Sequence, residues 1–291
     1  MKKHVIHIAG GLANRMFQLA FALSVNKIYG EVFYDDKSQK AEFEHDKVDI
    51  SNIFPNLKFK PMPNDMYKFG GKNGLIGKIA RRLSLVTNER YYINHSDKFD
   101  SDFIFKLKKP GYIIGLFQDE RYFKSVCNEV RDLFTFPPLE NMHNIVFLEE
   151  LKTCESVAIH IRKGDGYASW KQFEGTCGVE YYKTAVGYIK SRYPQAKFYV
   201  FTDSPSWVIE HMQWLDYEKM VDWNPTEGWG NHWDMQLMSL CRHNIIANST
   251  YSWWGAWLNP NPHKIVIAPQ NWFSSTCNRK KELIPPLWIK M

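Results

Sequence analysis

Three polar clusters in this chain each close an apolar run short enough to be a buried strand. Val157-Ala158-Ile159-His160-Ile161-Arg162 alternates so that His160 and Arg162 project to the same side, and Lys163-Gly164-Asp165 follows at once. Phe198-Tyr199-Val200-Phe201 stops at Thr202-Asp203-Ser204, and Ile245-Ile246-Ala247 stops at Asn248-Ser249-Thr250. An arginine at a strand end can grip a diphosphate bidentately and stays charged at any working pH. An aspartate there can accept hydrogen bonds from a nucleobase amide or a ribose hydroxyl. Asn-Ser-Thr at the start of a helix offers backbone N–H groups to an anion. The chemistry that these types share is the holding of an anionic, nucleotide-like ligand. Each cluster also has a plainer reading: Arg162 and Asp165 as a structural ion pair, Asp203 and Ser204 as caps of a helix starting near Pro205, Asn248 and Ser249 as caps of the next one.

The elements that must position these groups follow from periodicity. His4 to Ile8 reads as a first strand, broken by Gly10-Gly11, and Leu12 to Tyr29 reads as a buried helix. Strand, glycine turn and helix open a βαβ unit, although the spacing is not the dinucleotide fingerprint. Tyr112 to Leu116 reads as another strand, with a helix opening at Phe117-Gln118-Asp119-Glu120-Arg121-Tyr122-Phe123. Residues 35–110 are the least regular, broken by Pro55, Pro61, Pro63 and Gly70-Gly71, and suit insertions or acceptor-facing loops. Phe136-Pro137-Pro138-Leu139-Glu140-Asn141 suits a linker. Beyond it, strand-like runs at Ser156–Ile161, Phe198–Phe201, Met220–Val221, Asn244–Ala247 and Lys264–Ala268 alternate with helical patterns near 180–193, 205–214, 232–242 and 251–258. That alternation predicts a parallel, doubly wound sheet. The expectation is two Rossmann-like halves, 1–140 and 141–291, with a cleft between them.

Composition narrows the class. A chain of 291 residues with 44% hydrophobic residues and 11 tryptophans is a packed globule, and those tryptophans suit core packing better than a sugar-stacking platform. A formal net charge of +6, concentrated only at Lys78-Ile79-Ala80-Arg81-Arg82 and Arg279-Lys280-Lys281, suits a diphosphate ligand or an anionic membrane surface. It lacks the basic stripe of a nucleic-acid binder. The five cysteines, Cys127, Cys154, Cys177, Cys241 and Cys277, are scattered without a C-x-x-C pair, which predicts reduced thiols in a cytosolic protein rather than a disulfide frame or a zinc site. No run approaches the roughly 20 apolar residues of a membrane span, and His4, His7, Asn14 and Arg15 interrupt what would be the apolar core of a signal peptide. The reading is a soluble cytoplasmic protein with peripheral attachment to a membrane left open.

Four segments taken together carry a resemblance. Gly10-Gly11-Leu12-Ala13-Asn14-Arg15-Met16-Phe17-Gln18, His160-Ile161-Arg162-Lys163-Gly164-Asp165, Phe201-Thr202-Asp203-Ser204 and Asn248-Ser249-Thr250-Tyr251-Ser252-Trp253-Trp254 resemble, in order and across nearly the whole chain, the α-1,2-fucosyltransferases of glycosyltransferase family 11. Phe117-Gln118 with Tyr122-Phe123 looks like a further family feature. The resemblance implies a GT-B fold of two facing Rossmann-like domains, with GDP-fucose held mainly by the carboxyl-terminal one and the acceptor by the other. It implies that His160 and Arg162 match the donor-diphosphate motif and Asp203, with Ser204, the nucleoside-side motif. Asn248, Ser249 and Ser252 match the third donor motif, and Gly10, Gly11 and Asn14 the amino-terminal loop. Lys163 stands where a second arginine is usual, Gly166 where an aromatic is usual, Ser204 where an aspartate is frequent, and Ala13 and Arg15 where a glycine and a glutamine are common.

The implied reaction is inverting transfer of L-fucose from GDP-β-L-fucose to the 2-hydroxyl of a terminal β-galactoside. Fixed cations and helix N–H groups aimed at the departing GDP would lower the barrier without a metal or other cofactor. An acceptor attacking from the opposite face gains from a base, for which Asp165 is the candidate and Glu174 the reserve. Asp100-Ser101-Asp102 spells the D-x-D of metal-bound nucleotide-sugar transferases but follows no clear apolar strand. Transfer of another GDP-sugar or to another linkage is the nearest alternative, because fold and diphosphate grip do not define the sugar. A nicotinamide-dependent oxidoreductase lacks its G-x-G-x-x-G, and a noncatalytic lectin has no need of His160, Arg162 and Asp203 gathered at strand ends. The acceptor is expected to be an oligosaccharide, with lipid linkage at the inner face of the cell membrane left open; no nucleic-acid partner is expected.

Overall fold

The computed structural model describes residues 3–36, 50–63, 66, 79, 90–94, 96–164, 170–226, 228–277 and 281–291. The chain divides into two compact units, Met1–Pro137 and Pro138–Met291, so that the break falls in the proline pair.

In the first unit, β1 (His4–His7), β2 (Val32–Asp35), β3 (Lys60–Pro61), β4 (Tyr91–Ile93) and β5 (Tyr112–Ile114) form one parallel sheet in the order β3-β2-β1-β5-β4. The glycine turn after β1 leads into α1 (Leu12–Tyr29), which spans the predicted residues. Most of α1 is buried around its whole circumference, as a helix without a polar stripe must be. It stops at Gly30, whose φ of 80° only glycine adopts without strain and whose N–H donates to the Asn26 carbonyl. An aromatic pile led by Phe21 on Phe117, centroids 4.0 Å apart, packs against it. The helix expected to open at Phe117 does not form there. Phe117 has a φ of 51°, outside helical space, and Asp119 caps a single 3₁₀ turn, Glu120–Tyr122, by accepting from the Arg121 N–H. A true helix, α2, begins only at Cys127–Leu133.

The second unit has β6 (Ser156–Ile161), β7 (Lys197–Thr202), β8 (Lys219–Val221), β9 (His243–Ile245), β10 (Val266–Ala268) and β11 (Ile289–Lys290), all parallel. Their order is β11-β10-β9-β6-β7-β8. The helices are α3 (Met142–Lys152), α4 (Val179–Arg192), α5 (Pro205–His211), α6 (Trp233–Leu240) and α7 (Thr250–Leu258). Alternate residues of each central strand enter different layers, since Val157, Ile159, Ile161 and Val200 pack with Tyr182, Ala185 and Ile189 of α4. Ala158, Tyr199 and Phe201 pack with Phe147 and Leu151 of α3 and Leu237 and Met238 of α6. Successive connections run outward from β6 through β7 to β8, then restart on its other side with β9. This is the doubly wound order with a topological switch point between β6 and β9, where ligands of such sheets sit.

The tryptophans of α7 take the core role that composition favoured. Trp253 and Trp254 are fully enclosed, Trp257 nearly so, and the Trp253 indole N–H donates to the Leu283 carbonyl at 2.8 Å. Trp253→Ala therefore leaves both a cavity and an orphaned carbonyl, and is expected to cost about 3–5 kcal/mol. Urea unfolding would register this as a lower midpoint at unchanged slope; an unchanged midpoint would contradict the packing described.

Candidate functional site

The register of β6 on β7 sets Ile161 opposite Thr202. The next residues of the two strands are Arg162 and Asp203, and they form an ion pair in which the Asp203 side chain is buried and Arg162 is mostly so. The backbone N–H of Lys163 donates to the other Asp203 oxygen at 2.9 Å. Gly164 is what permits this closeness: a Cβ there would lie 2.7 Å from the Asp203 carbonyl oxygen and 2.9 Å from its carboxylate. Asp203 thus sits at the strand end where the sequence put it, but its partner is Arg162. It does not cap α5, and neither does the Ser204 side chain. Lys163 sends its ammonium to the Thr176 carbonyl at 3.1 Å and over the Trp207 ring, centroid 5.2 Å away.

His160 is buried, and its Nδ1 has no hydrogen-bond partner. Burial draws its pKa down to about 4, against a raising influence from Asp203 and with a further lowering from Arg162. Its ring lies 6.0 Å from that of Tyr251, whose hydroxyl donates to the Asn231 carbonyl at 2.6 Å and accepts from the Met235 N–H. On the same turn Asp234 accepts from the Asn224 amide at 2.7 Å. Enclosure of this carboxyl group lifts its pKa to about 7, with the Asn224 bond pulling the other way. Asn224 is held in turn by Asn144, and Asn144 by the Trp223 indole. Sequence reasoning missed Asp234 and its polar chain, because the partners come from α3, the loop after β8 and α6, with no common motif.

The Asn-Ser-Thr cluster divides its work. Ser249 caps α7, its hydroxyl accepting from the Tyr251 N–H, and Ser252 is fully buried with its hydroxyl on the Ser249 carbonyl. Asn248 is a cross-brace: its amide donates to Thr176 Oγ1 at 2.9 Å and to the Trp272 carbonyl at 3.0 Å, while its oxygen accepts from the Cys177 thiol. The loops after β6, β9 and β10 are thereby tied at one point. Burial pushes the Cys177 thiol up to about 12, so it stays protonated as that donor requires.

In the first unit the switch point lies between β1 and β5, and the predicted loop flanks it. Gly10 has a φ of 80° and Gly11 starts α1, its carbonyl accepting from the Asn14 N–H. Asn14 accepts from the Gln118 amide at 2.6 Å, and Gln18 bridges the Ala9 N–H and the Gly115 carbonyl. Arg15 is buried with its Nε on the Gly10 carbonyl at 2.7 Å. This loop is braced on the end of β5. Beside it His7 is buried with Nε2 unbonded, while Asp35, its register partner on β2, accepts from the Tyr112 hydroxyl at 2.6 Å.

Asp165 lies outside the described residues, as do Gly166 and most of both basic clusters. Glu174 is exposed. Asp100 of the D-x-D is engaged by the Lys106 ammonium and by the Asp102 N–H, each at 2.9 Å. Among the described residues no group of three or more His, Cys, Asp or Glu side chains could hold a metal ion. All five cysteines are free thiols, and no described helix is long and apolar enough to cross a membrane.

The family model "Glycosyl transferase family 11" matches residues 78–291. The chain is 31% identical to an Escherichia coli alpha-1,2-colitosyltransferase, over 99% of this chain and 98% of that one. It is 28% identical to the Escherichia coli O-antigen biosynthesis glycosyltransferase WbnK, over 98% and 99% of the two chains. Among solved structures, Arabidopsis thaliana FUT1 in complex with GDP is similar at 16% identity and a TM-score of 0.51, covering 94% of this chain and 72% of that one. The fold is of the GT-B type, two parallel-sheet α/β units.

The two shifted groups make opposite contributions to stability. His160 has a folded pKa near 4 against 6.5 unfolded, so between those values the unfolded chain binds more protons and stability rises with pH. Asp234, near 7 folded against 3.8 unfolded, binds its proton more tightly when folded, so its contribution falls as pH rises through that window. His160→Gln is expected to flatten the rise of unfolding free energy between pH 4 and 6.5, and Asp234→Asn to steepen it. Denaturant titrations across pH check both, and equal slopes in all three proteins would contradict the two environments.

Proposed function

The chain belongs to glycosyltransferase family 11, and from that premise we propose that it is an inverting, metal-independent α-1,2-fucosyltransferase. It carries L-fucose from GDP-β-L-fucose to the 2-hydroxyl of a terminal β-galactoside. The observation that carries this reading is that the Arg162–Asp203 pair closes β6 and β7 while α7 starts after β9, the strand beside β6 across the switch point of the second unit. A buried carboxylate orients the guanidinium, and the helix start adds N–H donors and the positive end of its dipole. Such a site suits a diphosphate whose negative charge grows as the sugar bond breaks. Residues 141–291 take the donor in this reading, and residues 1–140 form the side that receives the reacting end of the acceptor.

Within the donor site Arg162 and the α7 N–H groups stabilise departing GDP, with His160 beside them as a neutral imidazole. Asp203, Asn248, Ser249 and Ser252 fix that geometry, and Ser204, Gly10, Gly11 and Asn14 are assigned to donor binding from the family motifs. Asp165 is assigned as base, with Glu174 behind it. The linkage reading is supported by the relative named as an alpha-1,2-colitosyltransferase. That same relative favours a second reading, in which the sugar transferred is colitose. WbnK, named for O-antigen biosynthesis, supports a glycan acceptor, which in this reading is lipid-linked at the cytoplasmic membrane face and approached peripherally through the basic clusters.

Transfer assays with GDP-fucose and GDP-colitose against a galactoside panel decide the donor. Activity is expected to survive EDTA, and strict dependence on restored Mg²⁺ or Mn²⁺ would defeat the metal-free reading. Arg162→Ala is expected to lower kcat by about a hundredfold or more and, because it strands the Asp203 carboxylate, to lower the unfolding midpoint as well; near-normal turnover of the folded variant at saturating donor would remove Arg162 from this role.

A further inference from the structure

Trp170, Phe173 and Phe273 form a ladder of stacked rings. Centroids are 5.9 Å apart in the first step and 5.7 Å in the second, with interplanar angles of 26° and 16°. Phe273 at the bottom is buried, Phe173 is half-buried, and Trp170 at the top is 46% exposed. Composition reasoning assigned tryptophan to the core, and Trp170 departs from that, as Trp214 does.

The frame under the ladder is rigid. The Ser274 N–H donates to the Gln172 carbonyl and the Phe173 N–H to the Trp170 carbonyl, both at 2.7 Å. Thr176 Oγ1 donates to the Phe173 carbonyl at 2.6 Å and accepts from the Asn248 amide, which also holds the Trp272 carbonyl. Cys177 is kept at a φ of 49°, a conformation that costs a non-glycine residue energy and persists only where its surroundings impose it. An exposed ring held this firmly gives up little entropy when a flat ligand covers it.

Sheet order says which ligand. The ladder rises from the loops after β6 and β10, on the β9–β10 flank of the switch point, whereas Asp203 follows β7 and Asp234 belongs to the connection between β8 and β9 beyond it. On the proposed reading a nucleoside goes to the β7–β8 flank, where the Asp203 side chain is enclosed and Asp234 is half-buried, and the diphosphate to the start of α7 between the two flanks. The other flank is left to the acceptor. The segment that carries Trp170 and Phe173 also carries Gln172 and the exposed Lys171 and Glu174, whose amide, ammonium and carboxylate groups are of the kinds that ring hydroxyls bond, while the apolar face of a pyranose suits an indole.

We propose that Trp170, supported by Phe173 and Phe273, is a stacking subsite for a pyranose ring of the acceptor glycan lying beyond the residue that receives the transferred sugar. This rests on the reading of the chain as a galactoside-directed transferase. The test compares a simple β-galactoside with a galactose-terminated tetrasaccharide in the full chain. Trp170→Ala is expected to raise KM for the tetrasaccharide about tenfold, with kcat, KM for the simple galactoside and calorimetric GDP affinity unchanged. Trp170→Tyr is expected to restore most of the loss, and saturation-transfer NMR to show the distal ring of the tetrasaccharide contacting the wild-type protein but not Trp170→Ala. Equal changes in KM for long and short acceptors, or none, would overturn the proposal, and loss of GDP affinity would assign the ring to the nucleobase instead. Failure of the wild type to bind GDP at all would sink the functional reading itself, which is a different result.

Discussion

The contact between Arg162 and Asp203 is the constraint from which the geometry of the second unit's site follows. A carboxylate this enclosed is stable only with a charged or strongly donating partner, and the parallel register of β6 and β7 delivers one because each strand contributes the residue just beyond its last rung. The pair fixes more than itself. It demands a residue without a side chain at position 164, and it brings the Lys163 N–H onto Asp203. It also sets a negative and a positive charge beside His160, whose neutrality at ordinary pH is enforced by burial. A guanidinium has five N–H donors, so orientation by Asp203 and grip on a diphosphate are compatible duties.

Residue types that depart from the family pattern find local reasons in this frame. Lys163 does not supply a second strand-end cation: its ammonium leaves the strand end for the Thr176 carbonyl and the Trp207 face. Its work is to hold the base of the aromatic ladder's loop. Arg15 similarly spends its Nε on the Gly10 carbonyl, holding the glycine turn at the start of α1. In both cases a long cation braces a loop from beneath.

How much of this was legible in the sequence depended on whether a signal was local. The run Ser156–Ile161 was readable to the residue because both faces of a central parallel strand are buried, leaving an unbroken apolar string. The helix α1 was readable for the same reason. By contrast β2 is only four residues, and α3 presents a thin stripe of Asn144, Phe147 and Leu151 that no window separates from a polar segment. Phe117 misled because a row of helix formers says nothing about one residue forced to positive φ by its packing on Phe21. At the site the positions of Arg162, Asp203 and Asn248 were legible and their partners were not. Arg162 with Asp203, Asn248 with Trp272, and Asn224 with Asp234 and Asn144 are all products of register and topology.

The same distinction bears on which sugar is transferred. Gripping a diphosphate needs charge and helix N–H groups, which the ends of β6 and β9 supply whatever the sugar. Discrimination between closely related sugars needs a buried polar group that is satisfied by one hydroxyl pattern and stranded by another, since apolar contact alone separates near-isosteres weakly. His160 Nδ1 and Asn231 Oδ1 are two such groups, enclosed and without hydrogen-bond partners, and Tyr251 joins them by lying against one ring and bonding to the backbone of the other residue. On the proposed reading, donor specificity is therefore to be sought around Tyr251 and not in the arginine that marks the family. The cost of leaving either atom unsatisfied is what a correctly matched donor would relieve.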